Sequence, residues 1–248
     1  MYVSVDSLPE LTPEYQQTQQ QAVRDAKVVY QFEIVKQHPL DYVNVSMWSL
    51  FGLGSLWMMW IAMTDGPWAL ALFILFFSGG LLTYFYYAGN PDVKQTVTLT
   101  EKGMIVSDLQ LVPDACFAAL RYSGYVGVAI SVVGVVLVGP MMFIGAGAGL
   151  LVSFKMAGVE NRPKNRVRPF HPDIEYVMAD NLCAKFKNDL TLRRVVPRIE
   201  LENDGGIKDE LFSRNKEFYF LTYASTEQQQ DEIMRHLKKF INVEKGEY

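Results

Sequence analysis

The chain has 248 residues, with 23 Lys+Arg against 27 Asp+Glu and a formal net charge of −4. The charges are unevenly spread: residues 42–91 carry one, Asp65, and residues 123–154 carry none. Two such tracts exclude a soluble enzyme built around a single core, and the acidic balance excludes a basic nucleic-acid binder.

Residues 1–41 are polar, with a glutamine-rich stretch at Gln16–Gln21. They lack the short apolar core of a signal peptide, so the first hydrophobic tract is expected to act as both insertion signal and anchor. Gly does not follow Met1, and the last residues form no prenylation box, so no lipid anchor is expected. Thr12-Pro13 predicts a helix start, with the helix running to about Ala26 and showing a polar face. Val28–Lys36 reads as a strand with Val28, Tyr30, Phe32 and Ile34 on one face. Residues 1–44 form this polar N-terminal part, expected in the cytoplasm.

Val45–Thr64 and Trp68–Tyr87 are each 20 nearly uninterrupted apolar residues. As helices each would span about 30 Å, the thickness of a bilayer's hydrocarbon core. Asp65-Gly66-Pro67 separates them, with Gly suited to ending one helix and Pro to starting the next. Trp60 and Trp68 flank this turn, and Trp48 matches Tyr84, Tyr86 and Tyr87 in depth at the open end, giving two aromatic belts. Residues 45–89 therefore read as a transmembrane hairpin.

Val97–Val106 predicts two short strands around Glu101-Lys102-Gly103, the centre of a strand pair at 90–112. Such a ribbon needs a larger sheet to join. Residues 113–158 form the second hydrophobic segment. Tyr125–Phe154 as one helix would reach about 45 Å, too long for a bilayer without strong tilt or a kink. Gly139-Pro140 lies at its midpoint, and Pro113-Asp114 can start an earlier helix. The segment reads as a second hairpin, spanning or re-entrant, with one kinked crossing as the alternative. Lys155, Arg162, Lys164, Arg166 and Arg168 follow, opposed only by Glu160, and mark the cytoplasmic side. A single crossing would carry Lys27, Lys36, Lys94 and Lys102 to the far side, so the charge bias favours two hairpins. The same five cations are candidates for holding anionic lipid head groups. Gly145 and Gly149 form one GxxxG pair, a candidate helix-packing face.

Residues 159–248 read as a cytoplasmic α+β domain. Leu190–Leu201 and Glu217–Tyr223 are strand candidates, with Pro197 placing the first at an edge or bulge, and Asp204-Gly205-Gly206 is a turn. A terminal helix opens on a capping box of Ser225 and Gln228 and carries the stripe Ile233, Leu237, Phe240 and Ile241. The fold class is thus an α+β integral membrane protein: two transmembrane or re-entrant helical hairpins and a cytoplasmic antiparallel-sheet domain closed by a C-terminal helix. Through residues 94–106 and 216–242, this layout resembles small bacterial membrane proteins with a pleckstrin-homology-like cytoplasmic domain. The resemblance implies a domain held at the bilayer and transfers no binding residues.

Chemistry-bearing groups are sparse. Cys116 and Cys183 match no metal or redox spacing. Glu232 precedes His236 by one helical turn and Asp173 follows His171, yet neither pair, nor His38, gathers a ligand set, so no metal is expected. Glu200, Glu202 and Asp204 read as a solvated strand edge and turn. No cofactor and no catalytic residue is expected, and the chain is read as not an enzyme. The apolar arms carry only hydroxyls, among them Ser49, Ser55, Ser78, Thr83 and Ser131, which argues against an ion-coupled transporter. The leading expectation is a multi-pass anchor and interaction subunit of an inner-membrane complex, with lipids, further copies of itself or other subunits as partners. The alternative is an oligomeric channel or membrane-permeabilising effector gated by its cytoplasmic domain.

Overall fold

The computed structural model describes residues 3–4, 8–39, 41–139, 151–200 and 218–246. In chain order the first elements are β1 (Val3–Ser4), α1 (Pro13–Arg24), β2 (Val28–Lys36), α2 (Tyr42–Thr64) and α3 (Trp68–Ala88). Then come β3 (Val93–Thr100), β4 (Gly103–Gln110) and α4 (Asp114–Val138), and residues 151–157 are also helical. The remainder is β5 (Lys164–Pro169), β6 (Glu175–Lys185), β7 (Thr191–Pro197), β8 (Ile199–Glu200), β9 (Leu221–Ser225), α5 (Glu227–Leu237) and β10 (Asn242–Lys245). These divide into two compact units. One is made of residues 1–39, 93–109 and 163–248, the other of 40–92 and 110–162.

Among the described residues, the first unit holds two four-stranded sheets, ordered β2-β3-β4-β5 and β10-β6-β7-β9, and a two-stranded pair β1-β8. In the first sheet, β2 pairs antiparallel with β3 across one apolar tract, and β4 with β5 across the other. Both tracts are therefore insertions between neighbouring strands. Alternation buries Phe32 and Ile34 on β2, Val97 and Leu99 on β3, and Met104 and Val106 on β4. They share one core with Tyr176 and Met178 of β6, Val195 of β7, Leu221 and Tyr223 of β9, and Ile233 and Leu237 of α5. Each such side chain contributes roughly 1.5–3 kcal/mol of burial. The β3–β4 turn closes on Thr100, whose Oγ1 donates to the Gly103 carbonyl (2.8 Å) and accepts from its N–H (3.1 Å). A Cβ on Gly103 would stand 2.5 Å from the Arg168 carbonyl oxygen and against the Val23 methyls, so only glycine lets the hairpin reach β5 and α1.

Several sequence expectations change. A register shift between Val28 and Tyr30 breaks the β2 alternation, leaving Val28 exposed and putting Lys36, not Val28, in the buried row. The N-terminal helix finds a partner through Val23, which is buried against Gly103. The sheet is not single and not wholly antiparallel, because β10 follows the terminal helix and pairs parallel with β6. Strands β5, β6 and β10 lacked clean apolar alternation and went unpredicted. The candidate Leu190–Leu201 divides at Arg198 into β7 and β8. Phe218 and Tyr219 are helical rather than strand, and β9 begins at Leu221. The capping box belongs to Thr226 and Gln229, one residue beyond the expected Ser225 and Gln228. Asp204-Gly205-Gly206 and Glu202 lie outside the described residues, as do Gly145 and Gly149.

In the second unit, Asp41 caps α2, its carboxylate accepting from the N–H groups of Val43 (3.0 Å) and Asn44 (3.3 Å). Helices α2 and α3 form a hairpin. Trp48 stacks on Phe85 at a centroid distance of 3.8 Å, and small side chains (Ala62, Ala71 and Ser78) are the buried ones. The chain also doubles back after α4. A Cβ on Gly124 would stand 2.7 Å from the Ser153 carbonyl oxygen and the Ala157 nitrogen, and one on Gly127 would collide with the Ser153 hydroxyl. Among the described residues, three helices, Tyr42–Thr64, Trp68–Ala88 and Asp114–Leu137, are long and apolar enough to cross a membrane.

Candidate functional site

The end of β2, the start of β3, the end of β4 and the start of β5 carry a polar node. Lys36 closes β2, Gln95 lies near the start of β3, Asp108 near the end of β4 and Arg166 near the start of β5. The Asp108 carboxylate accepts from Lys36 Nζ (2.9 Å), Gln95 Nε2 (2.6 Å) and Arg166 Nη2 (2.6 Å). Gln95 is fully buried, and its Oε1 accepts the Ala224 N–H of β9 (2.8 Å), which ties the two sheets together. One carboxylate thus gathers a donor from each of the other three strands.

Electrostatics follow from this geometry. Partial burial pushes the Asp108 carboxyl upward, but the hydrogen bonds from Lys36 and Gln95 and the charges of Lys36 and Arg166 outweigh it and hold the group below the usual carboxylate range. Lys36 is 8% exposed, and Asp108 is its ion-pair partner at 2.9 Å. The node can hold charge and grip strands, but it offers no nucleophile or proton relay. Among the described residues, no group of three or more His, Cys, Asp or Glu could hold a metal.

The five predicted cations have separate placements. Arg166 belongs to the node. Arg162 pairs with Glu160 (2.7 Å), and Arg168 Nε donates to the Phe220 carbonyl (3.2 Å). Lys164 is exposed on β5 opposite Asp108, and Lys155 is exposed on the 151–157 helix. Sequence reasoning missed Lys36, Gln95 and Asp108, although each breaks an apolar row at i, i+2 spacing: 32-34-36, 93-95-97 and 104-106-108. A polar residue in such a row was the available signal. For helix packing, the described contact runs through Gly124 and Gly127, a small pair at i, i+3. The histidines stay apart: His236 stacks on Tyr30 (5.3 Å), whose hydroxyl donates to Glu232 (2.6 Å), and His171 lies against Tyr219 (4.8 Å).

The family described as TsiV2 immunity protein matches residues 13–188. A curated relative, Immunity protein TsiV2 of Vibrio cholerae serotype O1, is 32% identical over 101 residues, covering 40% of this chain and 37% of that protein. The match thus spans well under half of the relative's length. No solved structure matches. These matches overturn the resemblance to pleckstrin-homology-like membrane proteins, because an immunity family takes in the very strand pair, 94–106, on which the resemblance stood. They likewise replace the anchor subunit of a membrane complex, its oligomeric assembly and the gated channel. Those readings rested on a layout of apolar hairpins and sheet domain that an immunity protein shares.

Proposed function

Since the chain belongs to the TsiV2 immunity protein family, we propose that it protects its cell by binding a toxin protein and neutralising it. The single observation that carries this reading is the family match over residues 13–188. That stretch takes in α1, the whole first sheet, β6 and all three long apolar helices. Strand β7, strand β9, α5 and β10 fall beyond it. So does nearly all of the open cleft of about 790 Å³ lined by Arg193, Glu227, Gln230, Asp231 and Lys245. The protective surface is therefore sought in the first sheet and the apolar helices, not in that cleft. We read the action as stoichiometric inhibition rather than turnover, as is typical of immunity proteins.

We further propose that the protein sits in the inner membrane, with both sheets in the cytoplasm. Three helices of sufficient length support this, together with strand pairing across each apolar tract, which brings the polar stretches onto one side. Two experiments test the two parts. Deleting the gene from its host should sensitise it to killing by unaltered siblings, and re-expression should restore survival. A deletion strain that competes as well as its parent overturns the immunity reading. After alkaline carbonate washing, the chain should remain with the membranes, and its release would overturn the placement.

A further inference from the structure

We infer that the polar node at the end of the first sheet is one wall of a binding site for the phosphate of an anionic lipid head group, held by Arg166 and Lys164. Antiparallel pairing sets Asp108 opposite Lys164 and Val106 opposite Arg166. Directly paired residues project from the same face of a sheet, so Lys164, Arg166 and Asp108 share one face. Lys36, bonded to Asp108, joins them there. Arg168, opposite Met104, shares the face but donates to the Phe220 carbonyl. The node itself carries three cations, Lys36, Lys164 and Arg166, against one carboxylate, a surplus of two positive charges.

The four groups have different tasks. Lys36 is nearly buried and held by Asp108 Oδ1, so it neutralises the carboxylate and is not available to a ligand. Arg166 is held at one nitrogen, Nη2, by Asp108 Oδ2, and 40% of its side chain is exposed. A guanidinium has five N–H donors in a rigid fork, and fixing one edge pre-orients the rest for two oxygens of a phosphate. Lys164 is exposed on the same face and adds a mobile point charge beside it. Phosphate diesters of lipids are favoured over soluble anions by position in the chain. Lys36 stands six residues before α2, and Lys164 and Arg166 stand seven and nine residues after the 151–157 helix. Cations so close to spanning helices meet the head-group layer, each drawn to anionic lipid.

The site rests on the membrane placement proposed above and is independent of the toxin reading. The test uses the full chain purified in neutral detergent, with phosphatidylglycerol, phosphatidylcholine or inorganic phosphate added. Phosphatidylglycerol should raise the melting temperature by about 4–8 °C over phosphatidylcholine, an effect weakened by 0.5 M salt. Lys164→Gln, which leaves the Asp108 node intact, should weaken the lipid dependence about fivefold, and Arg166→Gln should abolish it. Equal shifts with both lipids, or a Lys164→Gln chain that responds like the wild type, would overturn the site. An equal shift with inorganic phosphate would overturn the assignment to a lipid. A chain that washes off membranes fails the placement, whereas one that stays bound but shows equal shifts fails this site alone.

Discussion

In the sheet unit, large side chains are hidden completely: Tyr176, Tyr219, Tyr223, Leu221 and Ile233 are each under 2% exposed. In α2 and α3 of the helical unit the hidden residues are Ala62, Ala71 and Ser78, while Trp57 is 67% exposed, Trp60 69% and Phe76 76%. The first pattern is that of a protein packed against water. The second is its reverse, with small residues where helices touch and large apolar ones outside. Without a hydrophobic drive between apolar helices, close approach of backbones holds them together, and this requires small side chains at the contact. The same principle that drives the sheets into a core leaves large apolar side chains exposed on the helices, the surface that the proposed membrane placement would cover.

This contrast is broken most severely where two backbones touch. Gly124→Leu would push a branched side chain into the Ser153 carbonyl and the Ala157 nitrogen, which cannot yield as a flexible side chain can. It should cost about 3 kcal/mol or more, toward the upper end for overpacking. All four tryptophans, Trp48, Trp57, Trp60 and Trp68, belong to the helical unit, so their fluorescence during a denaturing-detergent titration follows that unit alone. An earlier transition is expected, with the tyrosine-rich sheet unit little changed by near-ultraviolet circular dichroism. A wild-type midpoint would mean that the 151–157 helix does not pack on α4.

In the sheet unit, the matching break is electrostatic. Asp108→Asn removes the counter-charge of a nearly buried lysine and should cost about 2–3 kcal/mol, somewhat less than a fully buried pair because Asp108 is 20% exposed. Adding Lys36→Met should recover part of the loss in a chemical denaturation series. The acid limb supplies a second readout. The Asp108 carboxyl is held low in the folded state, so its contribution is present above its unfolded value, near 4, and is lost as pH falls through the lower folded value. The wild type should therefore lose stability more steeply below about pH 4 than Asp108→Asn, and parallel limbs would remove Asp108 from the account.

How far the chain could be read before its structure was known follows the same division. The α2–α3 hairpin is marked by length, by the lone Asp65 and by aromatic belts, all of which are local signals. The β3–β4 turn is likewise local, fixed by Gly103. Strand β5 was hidden inside a basic run, because Lys164, Arg166 and Arg168 look like a solvated tail until Asp108 and the Phe220 carbonyl are seen to receive two of them. Strand β6 pairs with a strand 57 residues or more downstream in β10, a contact no local pattern announces. The node itself is assembled from positions 36, 95, 108 and 166, which periodicity can flag singly but not bring together. The immunity reading left no trace in chemistry, since binding a protein requires a surface and not a motif.

A smaller effect is expected at His171. Its Nε2 is buried without a hydrogen-bond partner among the described residues, and its ring lies against Phe218 and Tyr219. Burial lowers its proton affinity, only partly opposed by Asp173. The folded chain therefore prefers the neutral ring, and this contribution fades as pH falls from the unfolded value near 6.5 through the lower folded one. His171→Phe removes the buried nitrogen and should gain on the order of 1 kcal/mol at pH 5 relative to pH 8 in denaturant melts. An unchanged difference between the two pH values would mean that the ring takes up its proton without cost.

The smallest effect discriminates between two registers of the same motif. Ser225 and Gln228 have the spacing of a capping box, but so do Thr226 and Gln229. In the structure Thr226 Oγ1 accepts the Gln229 N–H (3.3 Å) and Gln229 Oε1 accepts the Thr226 N–H (3.1 Å). Ser225 instead points inward, its hydroxyl donating to Gln230 Oε1 (3.3 Å). Thr226→Ala should therefore cost about 1 kcal/mol, Gln229→Ala a few tenths, and Gln228→Ala, at an exposed position, almost nothing. Hydrogen exchange at the first turn of α5 resolves differences of this size. Faster exchange in Gln228→Ala than in Gln229→Ala would move the helix start back by one residue and, with it, the side of α5 that meets the core.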